Sequence, residues 1–114
     1  FLQHAAVTAV REGEPLVASM VERCRQGREV IGRCLAALPR VRYTPPDAAF
    51  YAFFAVEGMT DSLDFAKRLV HEAGVGLAPG TAFGPEGEGF LRLCFARAPE
   101  TLEAAADRLA RALG

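Results

Sequence analysis

Residues 15–38 constrain this chain most. Val17, Met20, Cys24, Gly27, Ile31, Cys34 and Leu38 recur at alternating steps of three and four, so they form one apolar stripe on a helix of ~36 Å. Glu22, Arg23, Arg25, Arg28, Glu29 and Arg33 occupy its other faces, Pro15 opens it at the first helical position, and Pro39 ends it. A helix with one apolar face must lie across something apolar. The rest of the chain supplies that partner as short runs bounded by glycine and proline, so the stripe reads as a helix laid over a sheet in preference to a coiled-coil seam.

Residues 1–12 form a first helix with Leu2, Ala5, Ala6, Ala9 and Val10 on one face, closed by Gly13. Val41–Tyr43 is a short strand, and Thr44–Asp47 has turn chemistry. Ala49–Val56 is dense in aromatics and reads as a buried strand, ended by Gly58. Asp61 or Ser62 caps the next helix, whose inward face is Leu63, Ala66, Leu69, Val70 and Ala73, with Gly74 as its C-cap. Val75–Ala78 and Phe90–Ala96 read as strands flanking a Gly/Pro loop. Pro99 opens a last helix with Leu102, Ala106, Leu109 and Leu113 inward and Asp107–Arg111 as an i,i+4 pair. The order α, α, β, β, α, β, β, α predicts an α+β fold: a small, mainly antiparallel sheet covered on one face by helices, including the long N-terminal one.

Composition excludes several functions. A chain of 114 residues with 51% hydrophobic and 24% charged residues can bury a core as one domain. A net charge of −1 gives no field favouring nucleic acid, and no apolar run is long enough to cross a membrane. Cys24 and Cys34 lie about 15 Å apart along one helix, too far to bridge, so the three cysteines read as small hydrophobes of a reducing cytoplasm. No HExxH or Cys/His cluster offers a metal site, and no serine or cysteine has a nucleophile-elbow context. The loop GPEGEG has its glycines in the wrong order for a phosphate cradle, and Glu86 and Glu88 would repel an anion.

Arg92 is the candidate that remains. In FLRLCF, period-two alternation puts Leu91, Leu93 and Phe95 on one face and Phe90, Arg92 and Cys94 on the other. A guanidinium in so apolar a strand calls for an anion, and its planar fork suits a carboxylate. An internal salt bridge, or snorkelling from an edge strand, would also satisfy it.

Four features in order carry a family resemblance: PDAAFYAFF at 46–54, the acid-capped helix, Pro79-Gly80-x-x-Phe83-Gly84, and the glycine-led strand bearing Arg92. Together they resemble the C-terminal small domain of class I/II aminotransferases, enzymes of the aspartate aminotransferase type that use pyridoxal phosphate (PLP). Ala48 stands where that family usually has glycine. The resemblance implies that Arg92 binds the substrate's α-carboxylate and that Phe50 reaches the substrate pocket, with core packing the alternative for Phe50; Phe83, a loop aromatic, either walls that pocket or pins the loop. It implies that residues 1–13 lead out of a missing large domain and that 14–114 form the small domain. The enzyme so implied is a cytoplasmic homodimer of amino-acid metabolism that moves an amino group between an amino acid and a 2-oxo acid. Its Schiff-base lysine would lie in the large domain, since Lys67 is the only lysine here and matches no lysine motif of that family. The expectation is a fragment with no catalytic residue of its own, inactive alone and binding no cofactor. An autonomous amino-acid-binding or regulatory module anchored by Arg92 is the alternative.

Overall fold

A computed structural model describes all residues 1–114. It contains α1 (Leu2–Glu12), α2 (Glu14–Ala36), β1 (Val41–Tyr43), β2 (Tyr51–Val56), α3 (Ser62–Ala73), β3 (Ala78–Pro79), β4 (Phe90–Cys94) and α4 (Pro99–Leu113). Two 3-10 turns, Gly80–Phe83 and Pro85–Gly87, shape the loop between β3 and β4. The strands form one antiparallel sheet in the order β1-β2-β4-β3. The expected α+β architecture, with its long N-terminal helix, is therefore present.

The sheet separates a dry face from an open one. Ala52, Phe54 and Val56 of β2 share the dry face with Leu91 and Leu93 of β4. Ile31, Leu35 and Leu38 from α2 and the segment after it, Ala66 and Leu69 of α3, and Leu102, Leu109 and Leu113 of α4 pack into the same core. A fully buried Leu, Ile or Phe contributes about 1.5–3 kcal/mol of transfer free energy, so this layer is the main source of stability.

α3 is delimited as its sequence dictates. The Asp61 carboxylate accepts the Asp64 N–H at 2.8 Å, and Gly74 closes the helix in the left-handed conformation, φ 63°. That cap also shortens β3. The N–H groups of Gly74 and Val75 return to the carbonyls of Val70 and Leu69, so Val75 has no donor left for a ladder. Pairing starts only at Ala78, where the strand forms the sheet edge and Pro79 lacks a donor in any case.

Four expectations need correction. The α2 stripe is only half used: Gly27, Ile31 and Leu35 are buried, whereas Val17 and Met20 stay largely exposed, because α2 runs past the end of the sheet. α1 buries no residue at all, so its apolar face has no partner within the chain. Leu63 and Val70 point outward from α3, and Ser62 is buried in their stead. The Asp107–Arg111 pair does not form; both ion pairs in the molecule run through Arg25, to Glu22 at 2.7 Å and to Glu29. All three cysteines are free, and burial, aided by Asp107, pushes the Cys34 thiol above its ordinary range.

Candidate functional site

The open face of the sheet carries Arg92 and most of the aromatic side chains around it. Strand alternation and register set its members: Phe53 lies opposite Arg92, Ala55 opposite Phe90, and Tyr51 opposite Cys94. Arg92 also faces Ala78 of the edge strand. Because no helix covers this side, the expectation of a fully buried strand over 49–56 fails at Phe53, which is 40% exposed.

The rings form a paved surface. Phe53 and Phe90 stack with centroids 4.9 Å apart and planes within 1°. Phe83, carried in by the loop, meets Phe53 edge-on at 6.4 Å. Arg92 lies between two other ring faces of this surface: its Cζ is 3.8 Å from the Phe83 centroid and 4.1 Å from that of Tyr51. Such distances are well inside the range for cation–π attraction. Arg92 takes part in neither ion pair, and no acceptor of the chain receives a hydrogen bond from its guanidinium. The internal salt bridge left open by the sequence is thus absent, and the half-buried cation is held by aromatic faces with its N–H groups unspent.

The loop that brings Phe83 is tied down. Glu88 accepts from the Ser62 N–H at 2.7 Å and from the Gly89 N–H at 2.9 Å, and the Ser62 and Thr81 hydroxyls share a hydrogen bond of 3.2 Å. The carboxylate therefore serves the N-terminus of α3, where unpaired N–H groups favour negative charge. Sequence reasoning weighed Glu88 only as a repellent to phosphate. The loop also closes on itself: a methyl group on Gly80 would lie 2.0 Å from the Gly87 carbonyl oxygen.

The predicted site residues divide. Arg92 and Phe83 come together; Phe50 does not join them. It precedes β2 and lines an apolar groove of about 670 Å³ with Leu16, Val17, Met20 and Cys24 of α2. Its neighbour Tyr51 (rings 4.6 Å apart) makes the contact with Arg92, as parity along β2 requires. The preceding turn holds Ala49 in the left-handed region at φ 64°. His71 lies in the last turn of α3, and no group of three or more His, Cys, Asp or Glu side chains converges anywhere. No helix is long and apolar enough to cross a membrane.

No family model matches the sequence. Individual relatives do. An LL-diaminopimelate aminotransferase of Oleidesulfovibrio alaskensis is 37% identical over 112 residues, covering 96% of this chain and 28% of the relative. An aspartate aminotransferase of Pyrococcus horikoshii is 34% identical over 116 residues, covering 99% of this chain and 30% of the relative. Among solved structures, an alanine aminotransferase from Pyrococcus furiosus superposes with a TM-score of 0.90 at 27% identity, over 97% of this chain and 29% of that one. The chain thus spans about 30% of the length of the proteins it matches, and within that span sequence and fold agree. By both measures it is a homologue of the C-terminal part of the PLP-dependent aminotransferases.

Proposed function

We propose that this chain is the small-domain part of an aminotransferase and that Arg92 binds the α-carboxylate of the amino acid or 2-oxo acid. One observation carries the reading: a half-buried guanidinium on the open sheet face, sandwiched by Tyr51 and Phe83 and bonded to no anion of its own. Residues 1–13 would lead in from the large domain, and 14–114 would form the small one. The exposed apolar residues of α1 and of the first half of α2 support this division, since they have no partner inside the chain. A homodimeric, cytoplasmic enzyme is part of the same proposal. The autonomous-module alternative is not favoured, because the relatives match this chain as a segment of aminotransferases.

The residues present do not fit PLP. The one lysine, Lys67, is exposed on α3 and belongs to none of the strands that carry the open face. The cofactor, whose chemistry in such enzymes is to serve as electron sink for the amino-acid carbon, would be held by residues outside this chain. What this chain contributes is orientation. A bidentate pair with Arg92 fixes the carboxylate in direction and in plane, and the aromatic floor excludes water around it, which strengthens the pair.

The test is Arg92→Ala in the full-length polypeptide carrying this chain. Losing a charged hydrogen-bond partner is worth about 1.5–3 kcal/mol, so kcat/KM for amino acid and 2-oxo acid should fall by roughly 10- to 150-fold. A value within twofold of the unaltered protein would remove Arg92 from the site.

A further inference from the structure

The geometry points to Tyr51 and Phe83 as positioning residues that hold the Arg92 guanidinium ready for a carboxylate. This inference rests on the carboxylate role proposed for Arg92 and adds to it: the rings act through Arg92 and need not touch the ligand. Phe83 thereby takes a different part from the pocket wall that the resemblance allows.

Three observations carry it. The guanidinium carbon lies over two rings at once, 3.8 and 4.1 Å from their centroids, so a change of rotamer that carries the group away must break one contact or the other. Its N–H edges make no bond within the chain, so the clamp restrains the group without consuming its donors. Ring faces are suited to this, because they attract a cation and offer no acceptor that a carboxylate would have to displace. Lastly, each jaw is itself anchored. Tyr51 stands in the β2 ladder opposite Cys94, and Phe83 sits on the loop that Glu88, Ser62 and Thr81 bind to the start of α3.

An arginine side chain in water samples many rotamers, and a ligand that requires one of them loses affinity in proportion. Held between two rings, Arg92 has lost that freedom before the ligand arrives. The clamp should therefore act on binding, through the affinity of every carboxylate that Arg92 receives.

The experiment uses the full-length polypeptide carrying this chain, with 2-oxoglutarate and L-alanine as probes, calorimetry for Kd, and NMR of the arginine Nε–H and Hδ signals. Phe83→Leu is the main variant, because Phe83 is 48% exposed and its loss leaves the core intact. We expect Kd for both probes to rise about three- to tenfold, with the ring-current displacement of the Arg92 signals lost. Tyr51→Leu should weaken both probes similarly, and Tyr51→Phe, which retains the ring, should restore the affinity. In an Arg92→Ala background, Phe83→Leu should change Kd by less than twofold.

A full further loss from Phe83→Leu in that background would make Phe83 a ligand contact and overturn the inference. So would an Arg92 signal already motionally averaged in the unaltered protein, or a Kd indifferent to both ring truncations while Arg92→Ala weakens binding. A Kd indifferent to Arg92→Ala itself would instead defeat the carboxylate role, and the clamp with it.

Discussion

Replacing Gly27 by alanine sets two effects of opposite sign against each other inside α2. Alanine favours a helix interior over glycine by about 1 kcal/mol, so an unobstructed site would be stabilised. Gly27, however, packs directly against the residue after β4 and against α4. A methyl group there would lie 2.3 Å from the Phe95 carbonyl oxygen and 2.9 Å from Leu102 Cδ1. Leu102 can rotate away, but Phe95 cannot easily move, since it is 1% exposed and its N–H is bonded to the Phe50 carbonyl at 2.9 Å. The helix must therefore retreat by roughly 1 Å. A gap of that size forfeits a quarter to a half of the contact energy of the side chains spanning it, here Ile31, Leu35 and Leu102. At about 2 kcal/mol of burial each, the loss is ~1.5–3 kcal/mol, within the usual range for overpacking plus gap formation. The larger figure less the helical gain leaves a net destabilisation of about 2 kcal/mol, or a Tm lower by roughly 8 °C for a domain of this size. Gly32→Ala is the control in the same helix. Its methyl would meet only Tyr43 Cε1, at an ordinary 3.8 Å, so the propensity gain survives and the variant should be more stable by up to ~1 kcal/mol. Thermal and urea unfolding of the three proteins decide the matter. A Gly27→Ala chain melting at or above the parent would refute the close-approach argument, as would equal shifts at 27 and 32.

Further outcomes follow from single features. Asp61→Ala removes the cap on Asp64 N–H and should destabilise the chain by about 1 kcal/mol in urea unfolding, whereas Asp61→Ser should restore most of it. Ala49→Gly relieves a left-handed alanine and should raise stability by up to ~1 kcal/mol, seen as a higher melting temperature; a loss would mean that the turn needs the methyl group. The Arg25 guanidinium and the Gln26 amide bonded to Glu22 lower its carboxyl from 4.5 to about 2. A lowered carboxyl stabilises the fold above the unfolded value of 4.5 and loses that contribution as pH falls towards 2. An NMR titration should find the midpoint far below 4.5, and Arg25→Gln should return it towards 4.5.

The halves of the molecule differ in how openly their sequence speaks. α3 is legible residue by residue, because its cap, its acidic first turn and its closing glycine are local chemistry that acts whatever surrounds the helix. The same holds for β4, where alternation alone assigns Leu91 and Leu93 to one face and Phe90 and Arg92 to the other. β3 was less legible because its length depended on a hydrogen bond drawn back into the preceding helix. The burial of α2 was less legible still: an apolar stripe declares a wish to be covered but not whether the sheet is long enough to cover it.

The candidate site shows the same division. Arg92 stands out in the chain as a charge amid apolar neighbours, and the strand period states which way it points. That it is clamped by Tyr51 and Phe83, and that Phe50 turns instead to the groove beside α2, depends on residues 41 and 9 positions away being brought together by sheet pairing and loop closure. Local periodicity and capping are properties of neighbours in sequence, so the element order, the α+β class and the face of the arginine could be read from the residues alone. Contacts across the sheet are set by register and by the closeness with which backbones such as Gly80 and Gly87 can approach, and only the folded chain decides those.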